Sequence, residues 1–256
     1  MRTLFLLFFL SFQSVILAIP LSPFYNLASN PYITAEMQKE IKPYCLPENH
    51  PLVALLDSIF ADKRVTENEE TFKAAGFKIL FSQPTSYIKV ARHLAVPGYL
   101  FKLYLDNETR KKQDIEGWKW LVKRCIGAEN IRKLIHRKKL KYFTVPDKWI
   151  YPLPGHLSLD PLQQPIVLIV QDMDLASGEE TKRMWQKAGK KQIDELFIIL
   201  SHGFSSCYLA QNIPYSRSGK FACIDTEHPK RKLNYHHTQA YLSPPMKNYW
   251  KKLTKH

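Results

Sequence analysis

The spacing of apolar residues predicts two helices followed by strands in the first half of the chain. Leu52, Leu55 and Ile59 recur at helical spacing, which predicts a helix over residues 51–62. A second helix is predicted over 67–75, because Gly76 follows as a typical C-terminal stop. The pattern then changes to alternating or continuous apolar runs, which predict three strands: 77–81, 86–90 and 99–105.

The second half of the chain alternates between the two kinds of pattern. Helices are predicted over 114–126 and 130–140, separated near Gly127, and a long helix over 179–200. Strands are predicted over 149–153 and over 165–170, which contains the unbroken run Ile-Val-Leu-Ile-Val. The chain ends in a basic tail that contains several prolines. The fold class is therefore α+β.

A polar turn between two short apolar segments predicts a hairpin over residues 212–225. Asn212 opens it, Ser216 to Gly219 supply the turn, and an apolar strand ends at Asp225. An amide and a carboxylate at the two ends are suitable ligands for a hard cation with bound phosphates. The alternative is an ordinary surface hairpin, since Asn and Asp are common turn residues.

The first residues have the layout of a secretory signal peptide. A positive start, Met1-Arg2, precedes an apolar run that ends near the small residue Ala18. The segment 1–18 is therefore predicted to direct export, to a secreted or periplasmic location. An uncleaved N-terminal anchor is the alternative. No later apolar run approaches the length of a membrane span.

Cysteine spacing and charge narrow the class of protein further. Cys45, Cys125, Cys207 and Cys223 lack the close spacing of a zinc site, and either disulfides or core thiols fit the sequence. The formal net charge is +14, and thirteen Lys or Arg against four Asp or Glu lie between Arg110 and Lys148. Such a segment fits an anionic surface or acidic partner, or is a solvated helix face. It accompanies no recognisable nucleic-acid module.

Four segments taken together resemble the protein kinase-like superfamily, nearest to its aminoglycoside and small-molecule phosphotransferase branch. The predicted strand with Lys102 resembles the third strand of that family's small lobe, and residues 166–175 resemble the strand that enters the hinge between its lobes. Asn212 matches the catalytic-loop asparagine and Asp225 the metal-binding aspartate, at the family's separation of thirteen residues. The segment from Ile224 to Glu227 resembles the family's Ile-Asp-Phe-Glu variants.

The resemblance implies a two-lobed kinase-like fold with a reduced C-terminal lobe. Residues 19–76 would be an N-terminal extension with short helices, and 77–170 the small lobe. Residues 171–256 would hold the reduced large lobe and the basic tail, since only about thirty residues follow Asp225. A protein-kinase activity on Ser, Thr or Tyr is not expected from so short a lobe.

The resemblance also implies a site for ATP and Mg²⁺. Lys102 would hold the nucleotide phosphates, pinned by Glu116 or, as a second choice, Glu129. Gln171 and Met173 would line the adenine pocket, while Asn212 and Asp225 would hold the metal. Taken singly, Lys102 is equally compatible with a strand lysine that reaches to solvent, and Glu116 with a surface acid.

Three departures from the family pattern favour a degenerate member. Cys207 stands where the catalytic aspartate is expected, and His202 is the one nearby candidate for a base. The loop over 82–86 lacks the glycines that let backbone amides approach phosphates. An exported protein also meets little ATP. The sequence therefore predicts an exported pseudokinase; the alternatives are an active atypical small-molecule phosphotransferase and a non-enzymatic protein that binds anionic surfaces.

Overall fold

The fold, given by a computed structural model, is a mixed α+β arrangement built on a five-stranded sheet. The described residues are 27–84, 87–108, 116–155, 164–204, 206–227 and 234–255. The predicted signal segment 1–18 and the start of the basic segment at Arg110 lie outside them.

Nine helices and two short 3₁₀ turns lie in the described part of the chain. The 3₁₀ turns cover Leu27–Ser29 and Lys42–Tyr44. The helices are α1 Ala35–Ile41, α2 Leu52–Phe60, α3 Glu69–Ala74, α4 Gly117–Lys138, α5 Gly178–Lys187, α6 Lys190–Ser201, α7 Leu209–Asn212, α8 His236–Gln239 and α9 Pro244–Leu253.

The main sheet is antiparallel and has the strand order β1-β2-β3-β6-β5. Two further short strands, β4 and β7, pair in parallel. The strands are β1 Phe77–Ser82, β2 Lys89–His93, β3 Tyr99–Leu103, β4 Phe143–Thr144, β5 Lys148–Pro152, β6 Ile166–Gln171 and β7 Phe221–Ala222. The prediction for β2 begins three residues too early, whereas β1, β3, β5 and β6 lie close to their predicted positions.

Both faces of the sheet are covered, which explains the continuous apolar run in β6. Val167 and Ile169 pack with Phe60 and other side chains of the N-terminal helices on one face. Leu168 and Val170 pack with α1 and the first half of α4 on the other. The N-terminal segment is thus integral to the core around the sheet.

A separate core forms among α5, α6, α9 and the second half of α4. It is centred on Trp185, Leu196 and Trp250, each without solvent exposure. Helix α4 contributes to both cores, since Leu121 packs beside the sheet and Ile131 packs in the helical core. The stretch around Arg124 therefore lies at the junction of the two cores.

Two helix predictions need correction. Residues 117–138 form one continuous helix of 22 residues, because Gly127 does not break it. The predicted long helix over 179–200 is two helices, which end and begin on either side of Ala188 and Gly189. The basic tail, for which no helix was predicted, contains α9, whose first turn carries Pro244 and Pro245. No helix in the described ranges is both long and apolar enough to cross a membrane.

Candidate functional site

Five charged side chains form a cluster at the junction of the two cores. We call Lys102, Arg124, Lys148, Asp225 and Glu227 the charged cluster. The members interact through the charges of Lys102 and Lys148 and through an ion pair between Arg124 and Glu227.

Strand register places both lysines on the face of the sheet that α4 covers. Lys102 lies opposite Leu168, and Lys148 lies opposite Val170. Cross-strand partners share a face, and Leu168 and Val170 both pack toward α4. The two ammonium groups therefore point toward Arg124.

The segment after β7 is fastened to this face by hydrogen bonds. Lys148 Nζ donates to Ile224 O at 3.0 Å and to Thr226 Oγ1 at 2.6 Å. Thr226 Oγ1 in turn donates to Arg124 O at 2.6 Å. Gly127 makes this contact possible, since a Cβ at that position would lie 2.0 Å from Thr226 O. Asp225 is thus held between the sheet and α4.

Arg124 has one donor without an acceptor among the described residues. Its side chain is 6% exposed and pairs with the carboxylate of Glu227. Nη1 donates to Trp120 O at 3.4 Å, while the buried Nε has no hydrogen-bond partner in the described part of the chain. An unsatisfied buried donor is costly unless another molecule accepts from it.

The surroundings of Lys102 and Lys148 disfavour the charged forms of both side chains. Burial, followed by the charge of Arg124, lowers the pKa of Lys102 to about 8, although Asp225 and Glu227 oppose this. Burial, followed by the charge of Lys102, lowers the pKa of Lys148 well below its usual value. Lys102 forms no hydrogen bond or ion pair within the described residues, so its ammonium does not contact Asp225 directly.

The predicted hairpin brings Asn212 next to Asp225. Ser216 N donates to Lys220 O at 2.8 Å, and Ile224 N donates to Asn212 O at 3.0 Å. Gly219, at φ +88°, closes the turn. Asn212 ends helix α7, and its half-buried amide, like the Asp225 carboxylate, forms no hydrogen bond with described residues. Both side chains are therefore available to a ligand.

The two predicted adenine-pocket residues lie at the end of β6, in the case of Gln171, and in the connector to α5, in the case of Met173. Gln171 is exposed, and its Oε1 accepts from Asp147 N at 3.3 Å. Met173 is half-buried, and its carbonyl accepts from Ser216 Oγ at 2.7 Å. The turn of the hairpin therefore holds the connector beside it.

Neither of the two acids predicted to pair with Lys102 does so in the structure. Glu116 is exposed and pairs with Lys119 at 3.2 Å. Glu129 pairs with Lys133 at 2.6 Å. The acids that act on Lys102 come instead from the segment after β7, and α4 presents a cation to it.

Neither Cys207, at the position expected for the catalytic aspartate, nor His202, the candidate base, is part of the charged cluster. Cys207 is buried in the helical core, and all four cysteines, which lie in described ranges, are present as thiols. His202 is exposed at the end of α6, where its Nδ1 bonds to Ile198 O at 2.7 Å. Neither residue is among the groups that shift the pKa of Lys102 or Lys148.

The cluster fits phosphate better than it fits a metal ion. Asn212 and Asp225 offer oxygen ligands of the type that Mg²⁺ prefers. However, Glu227 is committed to Arg124, and the described residues contain no group of three or more His, Cys, Asp or Glu that could hold a metal. Lys102, Lys148 and Arg124 are donors of the kind that bind phosphate oxygens.

A cavity of about 710 Å³ lies elsewhere, between the region of α8 and the end of α9. None of the residues predicted for the site lines it. Its lining comprises Asn234, Tyr235, His236, Gln239, Lys251, Thr254 and Lys255. We place the functional site at the charged cluster instead, because available donors and acceptors converge there.

Sequence reasoning missed Arg124 and Lys148. Arg124 lies three residues after Leu121 and four before Ala128, on the apolar side of α4, so its position in the helical pattern already indicates a buried cation. Lys148 lies one residue before the predicted strand 149–153. Its inward orientation depends on register, which the sequence does not reveal.

The comparisons with known proteins assign no family. A scan of the chain against models of protein families gives no match, and a search of curated proteins gives none.

Proposed function

We propose that this protein has a two-lobed kinase-like fold and binds a nucleotide at the charged cluster without efficient phosphoryl transfer. The observation that carries the proposal is that the charge of Asp225 acts on Lys102, while Asn212 is bonded to the neighbouring residue Ile224. Lys102 lies on the third strand of an antiparallel sheet, and Asn212 and Asp225 lie at the ends of the hairpin. A lysine on that strand and a metal-binding aspartate and asparagine beyond the hinge are parts of the kinase site.

The roles of the residues follow from their chemistry. In this proposal Lys102 and Lys148 would hold phosphate oxygens, and Gln171 at the end of β6 and Met173 in the connector would line the pocket for the base. Mg²⁺, where bound, would neutralise phosphate charge, and Asn212 and Asp225 are the residues that would hold it.

The inference that the site transfers phosphate poorly depends on its lack of a placed catalytic base among the predicted candidates. Phosphoryl transfer requires a group that orients the attacking hydroxyl. Cys207 is buried in the helical core and His202 is tied to the end of α6. Export, predicted from residues 1–18, agrees with a binding role because little ATP is present outside cells. An active small-molecule phosphotransferase is the competing outcome.

Thermal unfolding with and without Mg²⁺-ATP tests the proposal. We expect ATP to raise the midpoint of the wild-type protein by several degrees, since ligand binding stabilises the folded state. The shift should disappear in Lys102→Met and persist in the control Lys133→Met, which removes an exposed lysine of α4. Equal midpoints with and without ATP would refute nucleotide binding. Phosphate transfer to a panel of small-molecule acceptors would instead establish the active enzyme.

A further inference from the structure

The charged cluster contains more basic than acidic side chains. Three basic side chains, Lys102, Arg124 and Lys148, face two carboxylates, Asp225 and Glu227. Burial disfavours the charged forms of both lysines. Glu227 is committed to Arg124, which leaves one carboxylate near two lysines. Uncompensated charge is unfavourable in a poorly solvated site, so the cluster favours an additional anion.

The donors in the cluster are also incompletely used. The ammonium of Lys102 makes no hydrogen bond with described residues, and the buried Nε of Arg124 has no partner there. The two donors come from separate elements, β3 and α4, and both side chains lie beside the segment after β7. An anion with several oxygens would accept from both.

We infer that the cluster binds nucleotide phosphates directly, with its lysines in place of a divalent cation. This rests on the proposed nucleotide site and concerns how the phosphates are neutralised there. A divalent cation at Asn212 and Asp225 would be repelled by Lys102, Lys148 and Arg124, whereas phosphate oxygens would be attracted. Direct cation–phosphate contacts can supply the neutralisation that magnesium usually supplies.

The direction in which Asp225→Asn changes the affinity for ATP distinguishes the two modes of binding. In the direct mode Asp225 repels the phosphates, so Asp225→Asn should tighten binding of ATP by about tenfold. If Asp225 holds a metal that bridges to the phosphates, the same variant should weaken binding. The isosteric amide keeps the shape of the side chain, so the comparison reports charge.

Isothermal titration of the purified protein with ATP provides the test, in EDTA and in excess Mg²⁺. We expect similar affinity in both buffers, tighter binding by Asp225→Asn, and at least a tenfold loss in Lys102→Met and in Lys148→Met. Lys133→Met is the matched control and should bind as the wild type does. Circular dichroism identifies any variant that fails to fold, and Lys102→Met, on a half-buried residue, provides the test if Lys148→Met does not.

Two results would overturn different claims. Binding that requires Mg²⁺ and is weakened by Asp225→Asn would overturn the direct mode and leave the nucleotide site intact. An absence of ATP binding in both buffers would overturn the proposed function itself.

Discussion

Gly127 determines how closely the segment after β7 approaches helix α4. The carbonyl oxygen of Thr226 occupies the space that a Cβ at residue 127 would need. Because the nearest atom is backbone, it cannot move aside like the end of a flexible side chain. The glycine therefore fixes the position of Asp225 relative to Arg124 and Lys102.

A Gly127→Ala variant should be strongly destabilised for this reason. We expect a loss of at least about 2 kcal/mol in the free energy of unfolding, because the added methyl group collides with backbone. Gly178→Ala is the matched control, since nothing lies within 4 Å of a Cβ there, and its stability should be unchanged or slightly higher. Urea denaturation measures both, and equal stabilities of the two variants would contradict the close approach.

Because of Lys102, the free energy of unfolding should vary with pH in the alkaline range. Its pKa is about 8 in the folded state and near 10.5 when exposed, so the unfolded chain binds more protons between these values. The contribution of Lys102 to stability therefore rises with pH across this window, by at most about 3 kcal/mol. Below pH 8 the full cost of burying the charge is present.

The comparison of wild type with Lys102→Met isolates this effect. The variant lacks the buried charge, so its advantage in unfolding free energy should be largest below pH 8 and shrink toward pH 10.5. Denaturation at several pH values measures the difference. A difference that does not vary with pH would mean that Lys102 is fully solvated.

At the scale of elements, the helix ends were harder to predict than the helices. Gly127 and the proline pair Pro244-Pro245 both resemble helix breakers in the sequence. Gly127 lies inside a helix because of the contact with Thr226, and the prolines begin α9 because a first turn needs no backbone donor. The wrong break at Gly127 and the lack of a prediction for α9 have the same cause, because glycine and proline occur both at helix ends and within or at the start of helices.

Helix α9 belongs to the helical core through Trp250. Its indole is without solvent exposure, donates to Tyr235 O at 3.0 Å, and lies edge-on to Phe197. Trp250→Ala should cost about 3–5 kcal/mol of stability. Asn248→Ala, at an exposed position of the same helix, should be close to neutral. If both variants unfold at the wild-type midpoint, the tail does not pack on the core.

At the scale of the whole molecule, the positive charge is divided between two locations. Arg124 and Lys148 are buried in the charged cluster, whereas Arg137, Lys138 and Lys139 are exposed at the end of α4. The segment between Arg110 and Lys148 is therefore not one continuous surface. Its exposed part is the candidate contact for an anionic partner.

Binding to vesicles that contain anionic lipid tests this exposed part. We expect binding that weakens with added salt and falls by at least about thirtyfold in Lys138→Glu/Lys139→Glu, since each lysine contributes about 1 kcal/mol near such a surface. The control Lys63→Glu/Lys78→Glu makes the same charge change at exposed positions elsewhere. An equal loss in both double variants would indicate a response to net charge alone.

Local sequence patterns were sufficient to predict the α+β class, most strands of the sheet, and the short hairpin that joins Asn212 to Asp225. These depend on local periodicity and turn chemistry, which neighbouring residues encode. By contrast, it is long-range packing that brings Arg124, rather than Glu116, to Lys102 and adds Lys148 to the cluster. Those contacts depend on strand register and on the rotation of α4, which are set by packing between residues far apart in the chain.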